Sequence, residues 1–277
     1  MTGPLYRFLA MHRWWGLLLL AAVLLALQIS AFGLTVGERA LITAILVLIV
    51  WVPLTALMVL VPRLRGLVVA PVVLAWLFQV ADLEAHFGAL AIYIPVLVIA
   101  LVFLAMTMIW VSIRLKAQLR IDHPIEDLAR LMRYHETTQH WHSMLDRVER
   151  HPENPEMWRC FLASPYSKAV THYDVEVVEN LANGGFVARI QGQIGKRPFV
   201  SMIRRELKQT PDGTVIYSQE DSRVNLLSVL LFWLDRLALD HLHQLRFYVE
   251  GATDWTINAG AGRWWPTWRP TPPSAAF

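Results

Sequence analysis

Three stretches of this chain carry no charged side chain: residues 14–34, 41–62 and 89–113. Each matches the ~20 apolar residues a helix needs to cross a ~30 Å hydrocarbon layer. A fourth stretch, residues 67–81, reaches that length only if it extends through Phe87 and takes in Asp82 and Glu84. Basic residues collect on the cytoplasmic side of a membrane. With four spans and an inside N-terminus, Arg7, Arg13, Arg63, Arg65, Arg114, Lys116 and Arg120 lie inside and only Arg39 lies outside. The pattern therefore predicts an all-α, four-helix transmembrane region over 1–113. The expected location is the bacterial inner (cytoplasmic) membrane, multi-pass, with both termini cytoplasmic. Arg7 and Arg13 before the first stretch suit a signal peptide, but the apolar run is too long for one and further spans follow, so it reads as an uncleaved span.

No ionisable side chain sits at the centre of any span, which argues against an ion-coupled pump. Gln28 and Gln79 read as helix–helix hydrogen-bonding residues, and Pro53, Pro71 and Pro95 as kinks. Trp14, Trp15 and Trp110 fall near span ends, where an aromatic belt is expected. Hydrophobic residues make up 55% of the chain against 17% charged, with mean hydropathy +0.40, which excludes a disordered chain. Cys160 is the only cysteine, so no internal disulfide forms. A net charge of +3 over 277 residues is too weak a field to indicate nucleic acid as a partner.

The second half reads differently. Residues 114–154 form a helical connector: span four continues through Arg114 and Arg120, and Asp122 then caps a helix that opens on Pro124 and runs to Arg150. A short helix covers Glu156 to Ala163. Beyond it the periodicity becomes two. Strands are expected at Tyr173 to Val178, Phe186 to Ile194, Phe199 to Lys208 and Thr214 to Gln219. Turns fall at Asn183-Gly184-Gly185, Gly195-Lys196 and Pro211-Asp212-Gly213. An apolar helix then runs from about Asn225 to His243. Residues 155–259 thus form a cytoplasmic α+β domain, an antiparallel meander of about four strands with a long apolar helix. Residues 260–277 are a Trp/Arg/Pro-rich tail.

This element order resembles the helix-grip (START-like) ligand-binding family, and is similar in pattern to nuclear-transport-factor-2-like cones. The resemblance covers residues 155–250 and implies a domain that holds an apolar ligand or serves in assembly. It rests on element order and transfers no functional residue.

Three groups of side chains carry the candidate chemistry. Arg263, Trp264, Trp265, Trp268 and Arg269 form a partner-binding tail, because Trp and Arg dominate interface hot spots. Arg197, Arg204 and Arg205 form a basic stretch suited to lipid headgroups. On a strand, however, Arg204 and Arg205 point to opposite faces. His140, His142 and His241 are the candidate metal ligands, although no HExxH or paired CxxC accompanies them. Cys160, among Trp158, Phe161 and Leu162, reads as a buried inert thiol. No cofactor is indicated. The chain reads as an integral membrane protein whose cytoplasmic domain is a non-catalytic accessory or assembly subunit, or a module binding lipid or another apolar ligand. Its partners are then membrane lipid and other membrane-protein subunits. The alternative is a membrane-bound enzyme, with a His-ligated metal, acting on a lipophilic substrate at the cytoplasmic face.

Overall fold

The structure is a computed structural model that describes residues 3–29, 35–60, 93–142, 145–162, 172–194, 197–252, 254 and 256. The chain divides into two compact units. One is residues 7–109; the other combines residues 1–6 with 110–277.

The first unit is helical. Helix α1 (Gly3–Ala10) leads into α2 (His12–Ile29), α3 (Val36–Leu46), a π-helical turn (Val47–Trp51), α4 (Val52–Leu60) and α5 (Tyr93–Met108). Within it, Arg7 is buried and donates to the Val59 carbonyl at 3.2 Å. The Trp51 indole donates to the Trp15 carbonyl at 3.1 Å. No helix among the described residues is long and apolar enough to cross a membrane. That overturns the four-span transmembrane region, and with it the multi-pass inner-membrane location. The reasons are local. Helix α2 spends its first residues on His12 and Arg13. The uncharged run 41–62 is divided by the π-helical turn. Helix α5 has 16 residues, ~24 Å at ~1.5 Å per residue, short of the ~30 Å layer. The third stretch, with Pro71 and Gln79, lies outside the described residues.

The second unit is built on one antiparallel sheet of seven strands. They are β1 (Trp110–Ile121), β2 (Leu145–Arg150), β3 (Met157–Leu162), β4 (His172–Asn180), β5 (Phe186–Ile194), β6 (Arg197–Thr210) and β7 (Gly213–Asn225), in the order β1-β7-β6-β5-β4-β3-β2. Between β1 and β2 lie the short helices α6 (Ile125–Met132) and α7 (Thr138–Trp141). After β7 come α8 (Leu226–Asp235) and α9 (Leu237–Val249). The meander of four strands is therefore corrected to seven. The helix expected through Arg114 and Arg120 is strand β1, the end of the long connector helix is β2, and the short helix at 156–163 is β3.

The reason β1 is a strand is visible in its residues. Val111, Ile113, Leu115, Ala117, Leu119 and Ile121 alternate with Ser112, Arg114, Lys116, Gln118 and Arg120, and burial follows the same alternation. The polar row pairs across the outer face: Arg114 lies opposite Asp221 on β7 and bonds it at 2.5 Å. Helices α8 and α9 pack on the inner face against β1 and β7, and α6 packs against β6. The Asn225 side chain caps α8 by accepting the Ser228 amide at 2.8 Å. The single long helix expected at 225–243 is broken at Arg236, which takes a left-handed conformation (φ 50°, ψ 45°).

The β6–β7 hairpin closes through Pro211 and Asp212, with Thr210 opposite Gly213. Gly213 has φ +119°, and a Cβ there would lie 2.5 Å from the Ile121 carbonyl oxygen on β1. Gly213→Ala is expected to destabilise this unit by about 1–3 kcal/mol from backbone strain alone. Urea unfolding followed by hydrogen exchange of β6 and β7 amides checks it, and an unchanged midpoint would contradict it.

Candidate functional site

Strand register defines transverse rows on the inner face. Phe186, Arg205, Ser218 and Ala117 form one row across β5, β6, β7 and β1. The next row is Ala188, Ile203, Glu220 and Leu115, and the one after it is Ile190, Ser201, Ser222 and Ile113. Burial is graded along them. Phe186 and Ala188 are fully buried, whereas Ser218, Glu220 and the β1 residues Ile113, Leu115, Ala117 and Leu119 are only half-buried. The inner face is therefore sealed at its centre and along most of β7, where Ile216 and Ser222 are buried, and is less closed at Ser218, Glu220 and the β1 residues.

Arg205 stands within this apolar face with 4% of its surface exposed. Its neighbours on the same strand face are Ile203 and Leu207, both buried. The guanidinium carbon lies 5.9 Å from the Trp141 ring centroid and 5.9 Å from that of Phe186. Arg205 Nε has no hydrogen-bond partner. No carboxylate forms an ion pair with Arg205 among the described residues. Glu220, one row along, accepts instead from Ser222 Oγ at 2.7 Å and Ser201 Oγ at 3.1 Å. Leaving a charge buried and unpaired is costly, so Arg205 is the most anomalous group of the unit.

Two imidazoles share its surroundings. Trp141 packs on His142 with ring centroids 5.4 Å apart, and His142 lies 4.7 Å from His241 of α9. His142 is 5% exposed, and its Nδ1 has no hydrogen-bond partner. Burial holds His142 well below the ordinary imidazole range, helped by His241 and then Arg205. Burial, with Arg205 adding, pushes His241 down to about 3. Both imidazoles are neutral at physiological pH. Burial raises Tyr134 to about 12 and Tyr173 well above its ordinary value, so both remain phenols. Burial likewise pushes the Cys160 thiol up to about 12, opposed by a hydrogen bond from Tyr173. A thiol in that state is a poor nucleophile.

The residues picked out in the sequence are placed as follows. His142 and His241 converge, but His140 faces solvent on α7. Among the described residues no group of three or more His, Cys, Asp or Glu side chains could hold a metal ion. The group nearest the imidazoles by its electrostatic effect is the Arg205 cation, which disfavours a metal and favours an anion. Arg204 and Arg205 take opposite faces of β6. Arg204 is exposed and bonds Glu206 at 2.5 Å, while Arg205 turns inward. Arg197 begins β6. The tail residues Arg263, Trp264, Trp265, Trp268 and Arg269 lie outside the described residues. Sequence reasoning missed Arg205 as an interior residue, together with Tyr134, Tyr173 and Glu220. The signal was the alternation Ile203-x-Arg205-x-Leu207, which puts the arginine on the apolar face.

No family model matches the chain. No curated protein matches it either. Among solved structures, a START superfamily protein from Mycobacterium smegmatis is similar, with 17% identity, TM-score 0.39, and coverage of 50% of this chain and 97% of the other. A truncated norcoclaurine synthase from Thalictrum flavum is similar at 13% identity and TM-score 0.32, over 44% of this chain and 82% of that one. A likeness of this depth assigns neither activity nor ligand to this chain.

Proposed function

We propose that the sheet unit, residues 110–252 with the N-terminal residues packed on it, is a non-catalytic module that binds a lipophilic small molecule, a lipid or another apolar compound. The ligand lies on the inner face of the sheet under α9. One observation carries the reading: the inner-face row Ile113, Leu115, Ala117 and Leu119 is apolar yet only half-buried, and it is continuous with the sealed core at Phe186 and Ile216. Apolar side chains lining a partly open interior with a few convergent polar groups are the usual make-up of a small-molecule site. The raised thiol and phenols on the same face speak for binding over nucleophilic chemistry, since none of them ionises near neutral pH.

The test uses the full chain and N-phenyl-1-naphthylamine, a neutral dye that brightens in apolar surroundings. Wild type is expected to bind it saturably, one dye per chain. Ala117→Phe fills the half-buried row and is expected to weaken binding about 10-fold or more, with the far-ultraviolet circular dichroism unchanged. Saturable binding that Ala117→Phe leaves intact sinks the proposal.

A further inference from the structure

The geometry points to an acidic lipophile as the ligand class, its anionic oxygens held by Arg205 and His142 beside His241. This rests on the inner-face binding proposed above and specifies its polar end. The argument begins with the guanidinium. An arginine is never neutralised by deprotonation in a protein, so burial has to be met by a partner. The outer face of the same sheet shows the usual solution: Arg114 has Asp221 and Arg159 has Asp174 at 2.8 Å. Arg205, more buried than either, has aromatic rings on two sides, an Nε without a partner, and no ion-paired carboxylate among the described residues.

Glu220, one register row along the inner face, is turned to Ser201 and Ser222. The unpartnered Nε of Arg205 and Nδ1 of His142 are thus two buried polar positions in one aromatic-walled region. The Trp141 ring links them, 5.9 Å from the guanidinium carbon and 5.4 Å from the His142 ring. A carboxylate, sulfonate or phenolate oxygen satisfies both through charge-assisted hydrogen bonds, which are shorter and stronger than neutral ones. The apolar body of such a ligand then extends along Phe186, Ser218 and Ala117 in the same transverse row toward the half-buried side. A neutral lipophile of the same shape leaves the guanidinium unpaired.

Two dyes of one skeleton separate the claims: N-phenyl-1-naphthylamine, which is neutral, and 8-anilinonaphthalene-1-sulfonate, which adds an anionic group. Only the saturable component removed by Ala117→Phe is counted. Wild type is expected to bind the sulfonate about 10–100-fold more tightly than the neutral dye. Arg205→Met is expected to erase that preference while keeping the neutral dye's affinity, and Arg205→Lys to retain part of it. Should Arg205→Met fail to fold, His142→Phe, close in volume and without the ring nitrogens, is expected to cut the sulfonate preference several-fold on its own. Equal binding of the two dyes to wild type overturns the headgroup assignment and leaves the lipophilic site standing, as does a preference that survives both substitutions. Saturable binding of neither dye overturns the lipophilic site itself.

Discussion

Replacing Phe186 by alanine is expected to destabilise the sheet unit by about 3–5 kcal/mol, the usual cost of truncating a buried phenylalanine. The position explains why the upper part of that range applies. Phe186 has 0% of its surface exposed and sits on β5, the central strand of the order β1-β7-β6-β5-β4-β3-β2. Its ring meets Tyr134 of the α6–α7 connection edge-on, with centroids 6.3 Å apart at 75°. The Arg205 guanidinium carbon lies 5.9 Å from its centroid. Truncation removes the buried area, the aromatic pair (about 0.5–1.5 kcal/mol) and one of the two rings that shield an unpaired charge. Phe186→Leu retains most of the volume and is expected to cost less than half as much. Val200→Ala serves as the contrast, since Val200 is 52% exposed on β6 and one strand away; it is expected to change stability by under about 1 kcal/mol. Hydrogen exchange of β5 and β6 amides in the full chain reads the free energy of this unit specifically. A Phe186→Ala cost below about 1 kcal/mol would mean the inner face does not close as described.

What could be read in advance divides along physical lines. The strands β4 to β7 were legible, because Asn183-Gly184-Gly185 and Pro211-Asp212-Gly213 combine turn chemistry with alternating strands on either side, broken only by a register shift between Val177 and Glu179; the turn expected at Gly195-Lys196 lies outside the described residues. β1 was equally regular, but the uncharged run 89–113 leads straight into it, and its first four residues are apolar or hydroxylic enough to extend a helix. In β2 the ladder shifts register between Leu145 and Arg147. That bulge puts the inward residues Leu145 and Val148 three apart instead of two, the spacing of a helix. The break at Arg236 gave no composition signal, since neither glycine nor proline marks it. At the site, Arg205 was within reach of the alternation argument. The meeting of His142 with His241 was not, because it depends on how α9 crosses β1 and approaches α7, and no local pattern encodes a crossing.

Acidification is expected to weaken the sheet unit steeply between about pH 6.5 and pH 4; the interior imidazoles His142 and His241 are the main cause, and His243, which burial and then Arg246 lower to about 4, adds to it. Burial, with His241 and then Arg205 adding, keeps His142 well below its ordinary range, and burial with Arg205 holds His241 down at about 3 in the folded chain. Unfolding returns both to about 6.5. The sign follows directly: with folded values depressed, the unfolded chain binds the extra protons, so stability is full above about pH 6.5 and falls as pH drops. Each histidine contributes a slope approaching about 1.4 kcal/mol per pH unit, so the pair amounts to roughly 4 kcal/mol lost by pH 5. A marginally stable domain holds only about 5–15 kcal/mol. The groups facing the pair decide how much of this survives in the protein. Arg205 works against protonation of both, and Tyr134 and Tyr173 stay neutral throughout. Glu220 is committed to its two serines. None of these offers the incoming proton a counter-charge. His142→Phe with His241→Leu is therefore expected to remove most of the slope over this range, the remainder belonging to His243, and hydrogen exchange of the β5 and β6 amides at pH 7.5 and pH 5 measures it. An equally steep loss in the double variant would assign the acid sensitivity to other groups. An acidic ligand seated on Arg205 supplies the missing counter-charge, so saturating 8-anilinonaphthalene-1-sulfonate is expected to shift the onset of unfolding to lower pH in wild type. It is expected to do so much less in Arg205→Met, tying the pH response of the fold to the occupant of its interior.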